Sequence, residues 1–548
     1  MKNILVLVLI TLASMEAFAQ KLTAEWQWSI VIRNSIENNG LSRAYLWIPP
    51  NCKRIRGVVV AQHNMEEISI LENPVFRTAL SKLGFAEVWC APPFDHLFRF
   101  TEGAGETFNG MMEDLAQKSG YDELNFVPVV PMGHSAAASW PYYFAAWKPE
   151  RTLAAISVSG QWPYFRNPTF APDIWADRTI NFVPCLETMG EYESAASWST
   201  EGLKERQQHP LMPLSMLACP AEGHFASTDQ KVAYLALYIK KAIQYRYPKT
   251  ETEPFVLKPI DPSKTGWLVD KWRFNMPPAA PAAAVARYSG NASDAFWFFD
   301  EEMAKATEAY QATYRNFKPQ LVGIVQEEEM LPQTNTHVQL HPAFLPLEDG
   351  VTFRLSGAFY DTVPSGSPRL PGWAGLAVGS SIGHSTNKTP VSIDRICGPF
   401  KKIATDKFVL AFDRTNNPKA IRMELVFKAT HPGDREYKPA VQQASMMVAE
   451  KNTEGADQQI VFPKIPDQRR GVKSLKIEAT SNSGLKVYYY ILEGPALLVG
   501  DRIVFTKLPP RSKFPVKVTI VAGQYGRNSL PKVKSAESVE QSFNILNK

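Results

Sequence analysis

Cysteine is scarce in this chain. There are five, Cys52, Cys90, Cys185, Cys219 and Cys397, and an odd count excludes a full disulfide framework. Long hydrophobic runs are missing as well. Beyond the N-terminus no segment reaches about 18 uninterrupted apolar residues, the length a membrane helix needs. Nor is there a strong charge of either sign: 59 basic and 54 acidic side chains leave a net charge of +5 over 548 residues. That is too dilute for the concentrated basic face of a nucleic-acid binder, though it leaves room for a local basic groove suited to an acidic glycan. The remainder is ordinary globular material, 45% hydrophobic and 21% charged. The chain is too long for one core, so about two to four domains are expected.

The start of the chain reads as an address. Met1-Lys2-Asn3 is basic, Ile4 to Leu12 is apolar except for Thr11, and Ala17-Phe18-Ala19 places small residues before Gln20. This is the pattern of a secretory signal peptide cleaved after Ala19. No cysteine follows it to take a lipid anchor. The mature chain is therefore expected to be secreted or periplasmic, with no membrane span.

The segment richest in chemistry is Met132-Gly133-His134-Ser135-Ala136-Ala137. Asn125 to Val130 ahead of it is β-rich, and Ala136 to Trp147 behind it is helix-forming. Strand, tight turn carrying serine, then helix is the setting of a nucleophile elbow, with Ala137 where the usual pattern has glycine. Two further apolar runs end in glycine beside a residue able to orient a base or act as one. Phe182 to Glu193 contains Glu187, Glu191 and Glu193, and Leu214 to Phe225 contains His224. Serine, acid, histidine in this order is the chain order of the α/β-hydrolase triad.

On these motifs, residues 40 to 245 resemble an α/β-hydrolase-fold serine esterase. The resemblance implies Ser135 as nucleophile, His224 as base and Glu193 as the acid, three residues after the glycine ending its strand. Glu191 is the alternative, and Glu187 reads as mid-strand. It implies oxyanion donors from the amide of Ala136 and that of Asn64 or Met65, in the loop after Gly57 to Ala61. That loop lacks the Gly-Gly of many lipases. His63 reads equally as a substrate contact or a loop histidine satisfied by backbone. Trp162, in the loop after Leu153 to Ser159, reads equally as a sugar-stacking ring or core, as do Trp140, Tyr164 and Phe165. Cys185 and Cys219 fall on neighbouring strands, where buried thiols are favoured over a bridge.

Elsewhere, Leu71 to Leu83, Thr107 to Ser119 and Thr228 to Tyr245 read as helices, and Trp26 to Arg33, Ala44 to Ile48 and Gly84 to Cys90 as strands. Strands alternating with helices predict a mostly parallel sheet covered on both faces. Residues 20–255 are assigned to this domain and 256–285, with Pro277-Pro278-Ala279-Ala280-Pro281, to a linker. Phe296 to Phe317 has a helical pattern, within a β-rich middle domain at 286–455. Short strands at roughly ten-residue spacing in 456–548 predict a β-sandwich; this tail resembles the Ig-like modules of secreted carbohydrate-active proteins. Arg469, Arg470, Lys473 and Lys476 form a basic cluster there, read as a solvated face. His337 and His341 are spaced i, i+4, but Pro332 and Pro342 argue against the helix a zinc pair needs. No metal or cofactor is expected.

The resemblance implies a secreted esterase acting on a polysaccharide, pectin methyl ester first and a carbohydrate acetyl ester second. A peptidase or lipase is the competing enzyme reading, and no apolar lid favours a lipase. A glycan-binding protein on an inactive hydrolase scaffold is the non-enzyme reading. The oligomeric state is open.

Overall fold

The computed structural model describes residues 25–37, 41–169, 171–248, 256–334, 339–415 and 421–547. The segment 1–19, expected to be a signal peptide, and His337 lie outside them. An eight-stranded sheet organises the first half: β1 (Trp28–Val31), β2 (Arg43–Trp47), β3 (Gly57–Gln62), β4 (Phe85–Cys90), β5 (Val129–His134), β6 (Ala155–Val158), β7 (Cys185–Gly190) and β8 (Leu214–Cys219). The order is β1-β2-β4-β3-β5-β6-β7-β8. β1–β2 and β2–β4 are antiparallel, and every other pair is parallel. This is the α/β-hydrolase sheet. β3 to β8 are buried along their whole length, as strands covered on both faces must be. The helices Pro74–Leu83 and Asp229–Arg246 pack together. Ala104–Ser119 meets Trp140–Trp147 through Phe108 and Phe144, 4.8 Å apart.

Two helix limits differ from the sequence reading. The expected helix 71–83 is broken: Asn73 caps a new helix by accepting from Val75 N, with Pro74 in its first turn, where the missing N–H costs nothing. The helix after Ser135 begins only at Trp140, because Ser135–Ala137 form a tighter turn.

The segment expected to be a linker is folded instead. Trp267–Asp270 pairs with Ala283–Ala284 and Ala295–Phe298, and Leu257, Ile260, Leu268 and Val269 join the core of the first domain. The pattern at Phe296 to Phe317 resolves into that last strand and the helix Glu301–Gln311, whose Met303, Ala304 and Tyr310 enter the same core. The first core therefore extends past residue 300. Alanine and proline repeats hid this, since they hold few of the residues that pack.

Beyond it, Ala440–Ala449 pairs with Arg422–His431, which pairs with Ser392–Cys397, and this unit has its own core around Phe353, Phe408 and Phe427. The last unit holds a sheet of Gln468–Arg469, Val539–Leu546, Val516–Gly523 and Tyr488–Glu493, and a second of Ser474–Lys476, Arg502–Phe505 and Ala496–Val499. Both contribute to one core, Ile503 from one and Val518 and Ile520 from the other.

This last unit docks on the first domain. Glu493 accepts from Ser29 N and Oγ at 3.2 and 3.1 Å and pairs with Lys118 at 2.8 Å. Lys513 N donates to Ser119 O at 2.9 Å, Lys507 Nζ to Asn51 Oδ1 at 2.6 Å, and Arg511 pairs with Glu123. Asn51 follows β2, Glu123 precedes β5, and Trp47 faces Glu87 near the start of β4. The contacts of Lys507 and Arg511 thus lie at the N-terminal ends of the parallel strands, whereas Glu493 reaches the edge strand β1 at Ser29.

Candidate active site

The opposite, C-terminal ends carry the reactive side chains. β5 ends at His134, and Ser135 turns the chain with φ +54°, a conformation rare outside glycine and a source of local strain. A Cβ on Gly133 would lie 1.9 Å from Ala137 O, and one on Gly160 1.9 Å from Ala138 Cβ. Only glycine fits at either place, so the turn is as tight as an elbow requires. Ala137 is accommodated.

β8 leads to His224, which is 6% exposed. Its Nε2 lies 2.9 Å from Ser135 Oγ, and its Nδ1 lies 3.1 Å from Glu193 Oε2. Serine, histidine and glutamate thus form one relay at the ends of β5, β8 and β7. A Cβ on Gly190 would meet Glu222 O at 2.5 Å, so this glycine lets the acid loop touch the histidine loop. The three glutamates of β7 and the loop after it take three environments. Glu193 faces His224. Glu191 accepts from Ala221 N at 2.8 Å and pairs with Lys438, itself buried. Glu187 sits within β7, accepts from Gly160 N at 3.1 Å, and is pushed up to about 8 by burial.

The second oxyanion donor does not follow expectation. The amides of Asn64 and Met65 both donate to Glu67 Oε2, each at 3.0 Å, while Glu67 Oε1 accepts from His134 N at 2.9 Å. A buried carboxylate thus occupies the two N–H groups assigned to the oxyanion, and burial pushes Glu67 up to about 7 despite these donors. Asn64 instead contributes its side chain, Nδ2 donating to His134 O at 3.1 Å. Glu67 and Asn64 stitch the β3 loop to the elbow. The Ala136 amide remains in place directly after the nucleophile.

Trp162 is core. It is 2% exposed, stacked between Trp198 and Phe296 at 5.8 and 5.9 Å, with Nε1 donating to Trp198 O at 3.1 Å, so no substrate reaches its faces. Trp140 is likewise buried, bonded to Met132 O. Tyr164 stacks on His209. His63 packs edge-on against Trp89 at 5.3 Å and is pushed down to about 4 by burial. With Asn64 and Met65 it lines a cavity of about 160 Å³ completed by Cys397, Arg422 and Glu424 of the middle unit. The cysteines are free. Cys185 pairs in register with Leu214 and Cys219 with Gly190, so the two thiols lie at opposite ends of adjacent strands. Among the described residues no cluster of His, Cys, Asp or Glu is placed to hold a metal ion. No helix among them is long and apolar enough to cross a membrane.

Several residues that shape the site carry no motif. His134 Nε2 donates to His224 O at 3.0 Å, with the rings 4.7 Å apart. Burial, then the nearby His224 charge, hold it well below the usual histidine range, so it stays neutral. The middle unit supplies the rest. Arg369 Nη1 donates to Glu193 Oε1 at 3.2 Å. Tyr192 OH donates to Pro439 O at 3.1 Å. Gln443, its amide oxygen facing the histidine loop, accepts from His224 N at 2.7 Å and Phe225 N at 3.2 Å. Gly223 leaves room for it, since a Cβ there would meet the Gln443 amide at 2.5 Å. Phe225 and Met65 pack with Ile396, Cys397 and Val426.

No protein-family model matches the sequence, and no curated protein matches it. Solved structures resemble the first domain. A dienelactone hydrolase from Anabaena variabilis is 15% identical, over 40% of this chain and 97% of its own, with a TM-score of 0.27. An S-formylglutathione hydrolase from Agrobacterium tumefaciens is 12% identical, over 40% and 93%, with a TM-score of 0.30. Est1E from Butyrivibrio proteoclasticus is 16% identical, over 37% and 93%, with a TM-score of 0.24. Likeness at this level carries no argument about chemistry, which rests on the site's own geometry.

Proposed function

We propose that this chain is a secreted serine hydrolase that cleaves carboxylic esters on a polysaccharide, pectin methyl ester before a carbohydrate acetyl ester. The observation that carries the esterase reading is the Ser135–His224–Glu193 relay, 2.9 and 3.1 Å long, on a strained elbow. Ser135 Oγ attacks the ester carbonyl as His224 Nε2 takes its proton. Glu193 holds the imidazole with Nδ1 protonated and stabilises the imidazolium. The Ala136 amide faces the oxyanion. Collapse expels the alcohol, which takes the proton from His224, and leaves an acyl-enzyme. Water, deprotonated by His224, then releases the acid and frees Ser135.

Secretion is supported by the pattern at 1–19, and the glycan reading by the Ig-like strand spacing of the tail. The test is a panel of methyl- and acetyl-esterified glycans, assayed for methanol and acetate, with Ser135→Ala as control. Losing the nucleophile should cost about 10⁴ to 10⁶ in turnover. A folded Ser135→Ala chain that keeps a tenth of the activity removes Ser135 as nucleophile. Acetate without methanol moves the substrate to the acetyl ester, and neither product from any glycan ends the polysaccharide reading.

A further inference from the structure

We propose that a groove in the C-terminal unit binds an acidic polysaccharide, a chain of carboxylate-bearing sugars. The groove holds about 460 Å³ and is walled by two stretches of chain, 468–473 and 505–508. Four cations line it, Arg469, Arg470, Lys473 and Lys507, and no Asp or Glu does. Elsewhere in the same unit some lysines have carboxylate partners, Lys517 with Glu493 at 3.4 Å and Lys534 with Asp457 at 2.8 Å. The four groove cations take part in none of the ion pairs of the described residues. Like charges gathered without a counter-charge repel one another and focus a positive potential into the concavity, which an anionic ligand relieves.

Two of the cations are also held in place. Lys507 Nζ is fixed by Asn51 of the first domain, and the Arg470 guanidinium lies 5.5 Å from the centre of the Phe514 ring. Apolar Phe505, Leu508 and Val472 lie between the charges, a surface suited to sugar faces. Phe505 is the one aromatic ring among the lining residues and is half-buried, whereas single-stranded nucleic acid uses several rings to stack successive bases. Lys507 places the groove beside the docking surface at the N-terminal ends of the parallel strands. Ser135 lies beyond the other end of β5, whose six residues span roughly 20 Å at about 3.3 Å each. A ligand in the groove is thus held apart from the triad, as a tether for a polymer whose esters are cleaved elsewhere. The choice of polysaccharide rests on the function proposed above; the anionic chemistry rests on the groove.

The test is calorimetric binding of polygalacturonate to the full chain at low and high salt, with neutral galactan and oligo-dT as comparators. Wild type should bind polygalacturonate, more weakly as salt rises, and should bind neither comparator as tightly. Arg469→Ala/Arg470→Ala/Lys473→Ala/Lys507→Ala should lose at least about tenfold in affinity and flatten the salt dependence. Arg469→Lys/Arg470→Lys should keep most of the binding. Both variants should hydrolyse a small activated ester at the wild-type rate. Should the fourfold variant lose its cooperative melt, the exposed pair Arg469→Ala/Lys473→Ala carries the test, with a loss of at least about threefold expected. Unchanged affinity in the folded variant overturns the proposal, as does equal binding of galactan. Tighter binding of oligo-dT overturns the ligand class. Binding is read without turnover, so groove-dependent binding in a chain that cleaves no glycan ester sinks the function proposed above and leaves the groove standing. Ester cleavage without groove-dependent binding does the reverse.

Discussion

Replacing Glu193 by glutamine tests the relay at its carboxylate, and the structure fixes how the new amide must sit. Glu193 Oε2 lies 3.1 Å from His224 Nδ1, and its Oε1 accepts from Arg369 Nη1 at 3.2 Å. The guanidinium can only donate. In Glu193→Gln it therefore holds the amide oxygen and turns the NH₂ toward His224. An NH₂ there needs a lone pair on Nδ1, which forces the imidazole proton onto Nε2, facing Ser135. That tautomer has no lone pair to take the serine proton. The loss should approach the full cost of a mis-set tautomer, about 10³ to 10⁴ in kcat/KM, or about 4 to 5.5 kcal/mol of transition-state stabilisation. Removing the guanidinium frees the amide to flip. Arg369→Ala in the Glu193→Gln background should therefore recover about tenfold, although Arg369→Ala alone lowers activity. The assay is hydrolysis of p-nitrophenyl acetate beside a thermal melt. A folded Glu193→Gln chain above a tenth of wild-type activity refutes the assignment. A double variant slower than the single refutes the tautomer argument.

Glu191→Gln should act on stability more than on turnover. It leaves Lys438, 3% exposed in its side chain, without its carboxylate, at a cost of about 3 to 5 kcal/mol in chemical denaturation. Adding Lys438→Met should return most of this, and a larger kcat loss than in Glu193→Gln would transfer the acid role to Glu191. Gln443→Ala removes the acceptor for the amides of His224 and Phe225 and should lower kcat about 10- to 100-fold with KM little changed; a pure stability loss would show that Gln443 only packs. Glu187, pushed by burial from 4.5 to about 8, holds a proton in the folded state that the unfolded chain has released. Its contribution thus erodes stability as pH rises across that window, and Glu187→Gln, which does not titrate, should melt with a shallower decline between those two pH values; parallel melting curves would exclude this. A chain ending at Asn452 should melt earlier, since Ser29 and Lys118 lose Glu493 and Tyr121 loses Arg511, whose N donates to its hydroxyl at 3.2 Å, yet still cleave the small ester. A cooperative melt without activity would place part of the site in the C-terminal unit.

What was legible in the sequence was local. The valines of β3, the glycines at 133, 160 and 190, and the serine after a β-rich run each state a conformational demand within a few residues, and the sheet follows from them. The spacing of Glu193 from Gly190 pointed to the carboxylate that faces His224. Distant partners were not legible. Glu67 lies only two residues beyond Met65, but nothing in its type says that its carboxylate turns back to take the Asn64 and Met65 amides. Trp162 sits on a loop at the catalytic edge, where an exposed ring is common. Its burial follows from Phe296, more than a hundred residues on, in a segment read as separate. Arg369, Lys438 and Gln443 are ordinary polar residues in a β-rich region, and only the fold brings them to the triad.

These late partners divide the two β-rich units by role. The C-terminal unit docks along the edge strand β1 and at the N-terminal ends of the parallel strands, where its contacts can affect stability and the capture of a polymer. The middle unit holds the segments that follow β3, β7 and β8. Ser69, beyond the β3 loop, donates to Ile396 O at 3.0 Å. The loop after β7 is held at Glu191, Tyr192 and Glu193, with Tyr192 also 4.6 Å from the Trp373 ring. The loop after β8 is held at His224 and Phe225 by Gln443. Loops are more mobile than the strands and helices they connect, and a proton relay tolerates little displacement. In this chain the ordering of those loops comes from a unit hundreds of residues downstream of the nucleophile. The middle unit is therefore part of the active site in structure, although no member of the triad lies in it.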